Sequence, residues 1–147
     1  MILDERNEFC DATSAVLGLG LDAIIGDVID LGATPTLRDL GAGEPMYLVL
    51  QVTTTFVGAT STTKFDLVSD SDAALTTSKT THATTGAIPV ATLVEGYTKV
   101  IPLPSEATYE RYLGLWETNA TAAVTAGAIN AFLTHDVAKY TAYPNAI

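Results

Sequence analysis

The sequence predicts an all-β protein, a single-domain jelly roll or β-sandwich of about eight short strands, and three observations carry that expectation. Composition is the first: 23 threonines stand against seven lysines and arginines. Threonine and valine suit a pleated, half-buried surface, whereas lysine, glutamate and arginine favour exposed helices. The second is alternation with period two, which places successive side chains on opposite faces of a strand. The third is regular punctuation by Gly, Pro, Asn and Asp, without a capped helical period. At 147 residues the chain suffices for one domain with a proper core. No internal repeat or linker divides it.

The strand expected at the centre is Glu44–Phe56. Met46, Leu48, Leu50 and Val52 fall on one face, and Tyr47, Val49, Gln51 and Thr53 on the other, which begins apolar and turns polar. Pro45 has no N–H for a ladder, so it suits a strand's first residue or an edge.

Upstream, residues 1–9 read as an acidic arm within an acidic segment. Asp4, Glu5, Glu8, Asp11, Asp22, Asp27 and Asp30 are set against Arg6 alone. Residues 12–21 read as irregular or strand, because Gly18 and Gly20 each cost a helix about 1 kcal/mol against alanine. Ile24-Ile25 and residues 28–31 look like strand pieces broken by Gly26. Gly32–Pro45 is a loop.

Downstream, Thr62–Ser69 alternates and ends in the polar turn Ser69-Asp-Ser-Asp72. Residues 74–85 form a threonine-rich strand followed by loop. Ala87–Val94 and Tyr97–Leu103 read as two strands of a tight hairpin turned by Glu95-Gly96. Tyr109–Thr118 and Ala128–Thr134 complete the set, and residues 138–147 form a tail.

Several function classes find no support. A formal net charge of −10 argues against nucleic acid and against an anionic membrane surface. One cysteine, Cys10, excludes an internal disulfide and fits a reducing cytosol. The N-terminus lacks a secretory pattern, and no run reaches the 18 apolar residues of a membrane span. Gly58–Lys64 matches a phosphate loop only in part, lacking the glycine before lysine and a following helix. His82 and His135 have no nucleophile elbow nearby and no zinc spacing. Asp66, Asp70 and Asp72 could offer oxygens to calcium but lack the EF-hand glycine and distal glutamate. No catalytic residue, metal or cofactor is expected. Tyr109, Tyr112 and Trp116 could stack on a sugar, the rival reading of a carbohydrate- or receptor-binding module.

Four stretches taken in order carry a family resemblance. They are Val28-Ile-Asp-Leu-Gly32, Gly43-Glu-Pro-Met-Tyr-Leu-Val-Leu-Gln-Val52, Ile101-Pro-Leu-Pro104, and Arg111-Tyr-Leu113 followed by Thr125–Val137. Together they resemble the capsid cement, or decoration, proteins of tailed bacteriophages, of the Bordetella-phage type found on short-tailed phages. The resemblance implies a jelly roll, without enzymatic activity, on the outer capsid surface of a virion assembled in the bacterial cytoplasm. Its implied partners are the major capsid protein, whose subunits it staples, and itself, as a dimer or alternatively a trimer. The chain departs from the family at Leu17–Ile25, which looks like an insertion, and in the tail. A tail or head–tail joining protein is a further β-type alternative.

Candidate protein-contact residues are Phe9, Arg38, Tyr47, Arg111, Trp116, Tyr140, Tyr143 and Ile147. Arg38 and Arg111 are scarce cations expected to meet carboxylates across an interface. Tyr140, Tyr143 and Ile147 are apolar anchors expected to pack the tail on a neighbouring subunit.

Overall fold

The computed structural model describes residues 5–18, 20–33, 40 and 43–137. Nine strands run through them: β1 (Glu8–Ser14), β2 (Asp22–Asp30), β3 (Tyr47–Val57), β4 (Thr62–Asp70), β5 (Thr80–Thr84), β6 (Ile88–Pro89), β7 (Thr98–Pro102), β8 (Tyr112–Ala120) and β9 (Ala126–Thr134). Short 3-10 turns at Glu5–Asn7 and Val90–Thr92 are the only helical pieces among the described residues.

The strands form two antiparallel sheets, ordered β1-β9-β3-β7 and β2-β8-β4-β5, with the two-residue β6 on β4. The pairing has a simple logic. β1 pairs with β9, β2 with β8, β3 with β7 and β4 with β5, so the chain is one long hairpin doubled back on itself. It is rolled so that β9 also lies beside β3 and β8 beside β4. That is the eight-stranded jelly-roll arrangement, with β6 as an addition.

The core lies between the sheets. Leu48, Leu50, Val52, Ile129, Ala131 and Leu133 come from one, and Ile25, Phe65, Leu67, Leu113 and Leu115 from the other. β3 is central because it pairs on both sides, and the face that begins apolar and turns polar is closed as well: Val49, Gln51 and Thr53 are all buried.

Three expectations need correction. Residues 8–14 are strand β1, so the acidic arm expected over residues 1–9 gives way to strand at Glu8, and Phe9, at 1% exposure, packs in the core and is no contact residue. The hairpin expected at Glu95-Gly96 does not form. Only Ile88–Pro89 is extended, the chain tightens into the 3-10 turn, and β7 pairs with β3 instead. The turn belongs to β3, with Gly96 N–H donating to the Val52 carbonyl at 2.9 Å and Val52 N–H to that of Tyr97 at 2.8 Å. Finally, of the threonine-rich run only Thr80–Thr84 is strand. Arg38, Tyr140, Tyr143 and Ile147 lie outside the described residues.

Candidate functional site

Several of the side chains singled out from the sequence, Asp70, Arg111, Tyr112 and Trp116 among them, lie on the β2-β8-β4-β5 sheet and the loops at its ends. Alternation along β8 sends Leu113, Leu115 and Glu117 inward and Tyr112, Gly114 and Trp116 outward. Trp116 sits opposite Ile24 on β2 and Asp66 on β4, and Tyr112 opposite Asp30 and Asp70.

Asp70 organises the loop that covers this face. Its carboxylate accepts the backbone N–H groups of Asp72 (3.2 Å), Thr77 (2.9 Å) and Ser78 (3.0 Å) and the Ser71 hydroxyl (3.3 Å). Burial pushes its pKa up, but the N–H donors from Ser78, Asp72 and Thr77 more than offset that, so the carboxyl titrates below its ordinary value. The residue read as a calcium ligand therefore fills its oxygens with the loop's own donors, and no cluster of three or more His, Cys, Asp or Glu residues occurs among the described residues. The loop folds back and presses Leu75, fully buried, over the bare backbone of Gly114; a Cβ on Gly114 would lie 2.4 Å from Leu75 Cδ1.

The same loop delivers Lys79. Its Nζ lies 3.3 Å from the centroid of the Trp116 ring and 3.7 Å from Asp22 Oδ2, which accepts the indole N–H at 2.8 Å. One ring face is thus capped by a cation and the polar edge is occupied. Tyr109 is 4% exposed and Tyr112 carries the Arg111 guanidinium 4.9 Å from its centroid. The three aromatics expected to form a sugar platform are separately engaged. Because Trp116 is the only tryptophan, its emission reports on the cap. In Asp70→Asn and in Lys79→Ala the Trp116 emission should shift while the protein stays folded; an unchanged spectrum in Lys79→Ala would contradict the cap, and one in Asp70→Asn alone would show that the loop holds Lys79 by other means.

Arg111, expected to meet a carboxylate across an interface, has one within its own chain. It grips Asp30 of the same chain with Nε and Nη2 at 3.0 and 2.8 Å. That bidentate hydrogen bond, then the charge of Asp30, raises the guanidinium pKa above its ordinary value. Tyr47 is half-buried on β3, facing Pro102 and Thr134.

Two buried clusters went unread in the sequence. Ser69 Oγ lies 2.7 Å from His82 Nε2 and accepts the Glu110 N–H at 3.1 Å, while the His82 ring sits 4.3 Å from that of Tyr109. The hydroxyl is fully buried, so the pair is a clasp between β4, β5 and the loop before β8, not an exposed nucleophile. Burial lowers the His82 pKa, against the smaller upward pull of Glu110. A depressed histidine gives stability present above about 6.5 and lost as pH falls through the folded value. As pH drops below about 6.5, amide exchange in Thr80–Thr84 should therefore slow less than the falling intrinsic rate requires. His82→Gln should remove that step; a wild type without the step would refute the clasp.

The second cluster is Glu117 and Cys10 between the sheets. Glu117 is 3% exposed, has Oε1 without a hydrogen-bond partner, and is pushed by burial to a pKa of about 8. Cys10 is pushed up to about 12, by burial first and then against a lowering bond from Thr13, so it stays a neutral thiol.

A family model described as Bbp16 matches residues 14–133 of the chain. No curated protein matches it.

Proposed function

We propose, from the premise that the chain belongs to the Bbp16 family, a family of Bordetella-phage proteins, that it is a capsid cement protein. Family membership suggests a phage structural protein. In the finer reading it binds the outer surface of the head, joins neighbouring major capsid subunits and stabilises the DNA-filled shell. As a structural protein it acts by contact rather than turnover.

The observation that carries this reading is that four of the polar clusters described above, all but the Glu117–Cys10 pair, are closed on themselves. Asp70 is filled by its own loop, Ser69 by His82 and Glu110, Arg111 by Asp30, and Trp116 by Lys79 and Asp22. Such internal closure stiffens a small sandwich and leaves little for a substrate to engage. Net acidity favours the outside of a shell over its DNA-filled interior. Weak contacts repeated by symmetry then add up through avidity. Homo-oligomerisation, as a dimer first, belongs to the same proposal. The capping of one face of Trp116 by Lys79 counts against the carbohydrate reading.

Heating of purified particles with and without the protein tests the function. Particles lacking it should release DNA at a lower temperature, and added protein should restore the wild-type midpoint. Identical release curves would count against a cement role. In the same assay, removal of residues 138–147 should reduce occupancy on the shell; full occupancy would show that Tyr140, Tyr143 and Ile147 make no essential contact.

A further inference from the structure

One end of the sandwich is chemically unlike the rest of the molecule. Four connections lie side by side there: β1–β2, β8–β9, β3–β4, and the β5–β7 crossover with its 3-10 turn. Hydrogen bonds knit them together, Val124 N–H to the Leu17 carbonyl, Thr125 N–H to that of Val57 and Phe56 N–H to that of Leu93. At roughly 4.8 Å per strand the row is on the order of 15 Å long. In a chain of net charge −10, the described residues of these four connections carry one charged side chain, Glu95. The opposite end carries Glu44, Asp72, Lys79, Glu106, Glu110 and Arg111 among others.

The uncharged end also holds four of the six exposed large hydrophobic side chains among the described residues: Val16 (56%), Leu21 (55%), Val57 (53%) and Val94 (49%). Half-buried Ala122 and Ala123 lie between them. A single exposed valine means nothing, but an apolar row rimmed by an acidic surface marks an interaction site.

We propose that this uncharged end is the surface by which the protein seats on the capsid shell, against an apolar, uncharged patch of the shell subunit. The inference rests on the cement reading and adds the docking face. Four half-exposed aliphatic side chains offer at most a few hundred Å². A stable pair of free proteins needs about 800 Å² from each partner. The row is therefore too small to hold a second copy in solution. It is sufficient where a shell presents many equivalent sites and other contacts supply the avidity. Keeping charge out of the row removes the repulsion that the acidic body would otherwise bring to the contact.

Co-sedimentation with purified shells that lack the protein tests this, comparing wild type, the double variant Val57→Glu/Val94→Glu, and Val100→Glu. Val100 is the control, 40% exposed on β7. The double variant should lose binding by about tenfold or more, with Val100→Glu close to wild type. If wild type does not sediment with shells, the cement reading itself fails. If wild type and the double variant bind alike, the cement reading stands and the docking face is wrong. Loss in Val100→Glu alone would place the contact on β7 and overturn the proposal. So would a wild-type dimer in analytical ultracentrifugation that the double variant abolishes, since a second copy would then be the occupant. Thermal unfolding checks that the variants fold, and Val57→Ser/Val94→Ser replaces the double glutamate if it does not.

Discussion

Gly26→Ala is expected to destabilise the protein by on the order of 3 kcal/mol or more, lowering the unfolding midpoint by about 10 °C. Gly26 interrupts β2 where the register with β8 shifts between Ile25 and Ile29. Its φ is +75°, a region that costs a side-chain-bearing residue roughly 1–2 kcal/mol. The larger cost is the close approach of β1. A Cβ at this position would lie 1.9 Å from the Phe9 carbonyl oxygen and 2.5 Å from Cys10 Sγ. The nearer of those atoms is backbone and cannot swing aside, so β1 must move away from β2 and lift Phe9 out of the core. Gly20 supplies the internal comparison, with φ +65° but nothing within 4 Å of an added Cβ. Gly20→Ala should lose only the roughly 1–2 kcal/mol of the backbone conformation. Urea titration of both variants checks the difference, and equal midpoints would contradict the close approach.

Glu117 gives the second large effect, in the pH dependence of stability. Its carboxyl is pushed by burial from an ordinary 4.5 to about 8. The folded protein therefore holds a proton that the unfolded chain releases. A raised carboxyl contributes stability that is fully present below pH 4.5 and lost as pH rises through about 8. Over that window the loss is on the order of 3–5 kcal/mol. Cys10 stays neutral throughout, with its pKa pushed up to about 12, and does not share the titration. Glu117→Gln should lose the fall in stability between about pH 6.5 and 8 and be more stable than wild type near pH 8, where the wild type is burying a charge. Denaturant titrations between pH 5 and 8.5 measure this. If the two proteins show parallel slopes, the Glu117 carboxyl is already ionised and satisfied. The His82 clasp acts in the opposite direction, so the acid-side slope below about pH 6.5 should survive in Glu117→Gln.

Much of the fold was legible because strand parity is a local property. The Glu44–Phe56 alternation located the central strand, and its inward set, Leu48, Leu50 and Val52, lines the core. Period-two alternation over residues 111–118 puts Arg111 and Glu117 on the side of Leu113 and Leu115, which was the available signal for a buried carboxyl. The misreadings came where a long-range partner decides. Glu95-Gly96 has hairpin chemistry, yet the strand that follows finds β3 rather than the segment before it. Phe9 looked like the end of an acidic arm because the sequence does not show that β9 waits to pair with residues 8–14. Trp116 and Arg111 looked free to meet a partner. Their companions Asp22, Lys79 and Asp30 lie 94, 37 and 81 positions away, and only the folded-over hairpin brings them together. The uncharged end was equally hidden, since its four connections are scattered over residues 15–125 and become one surface only when the jelly roll closes.

The most direct test of the cement role is the copy number and position of this chain in purified particles, read from a cryo-EM reconstruction and quantitative protein gels. Hundreds of copies are expected on the outer surface of the head, with the β1–β2, β3–β4, β5–β7 and β8–β9 connections against the shell. A few copies at a single vertex or along the tail, or none on the mature particle, would contradict it.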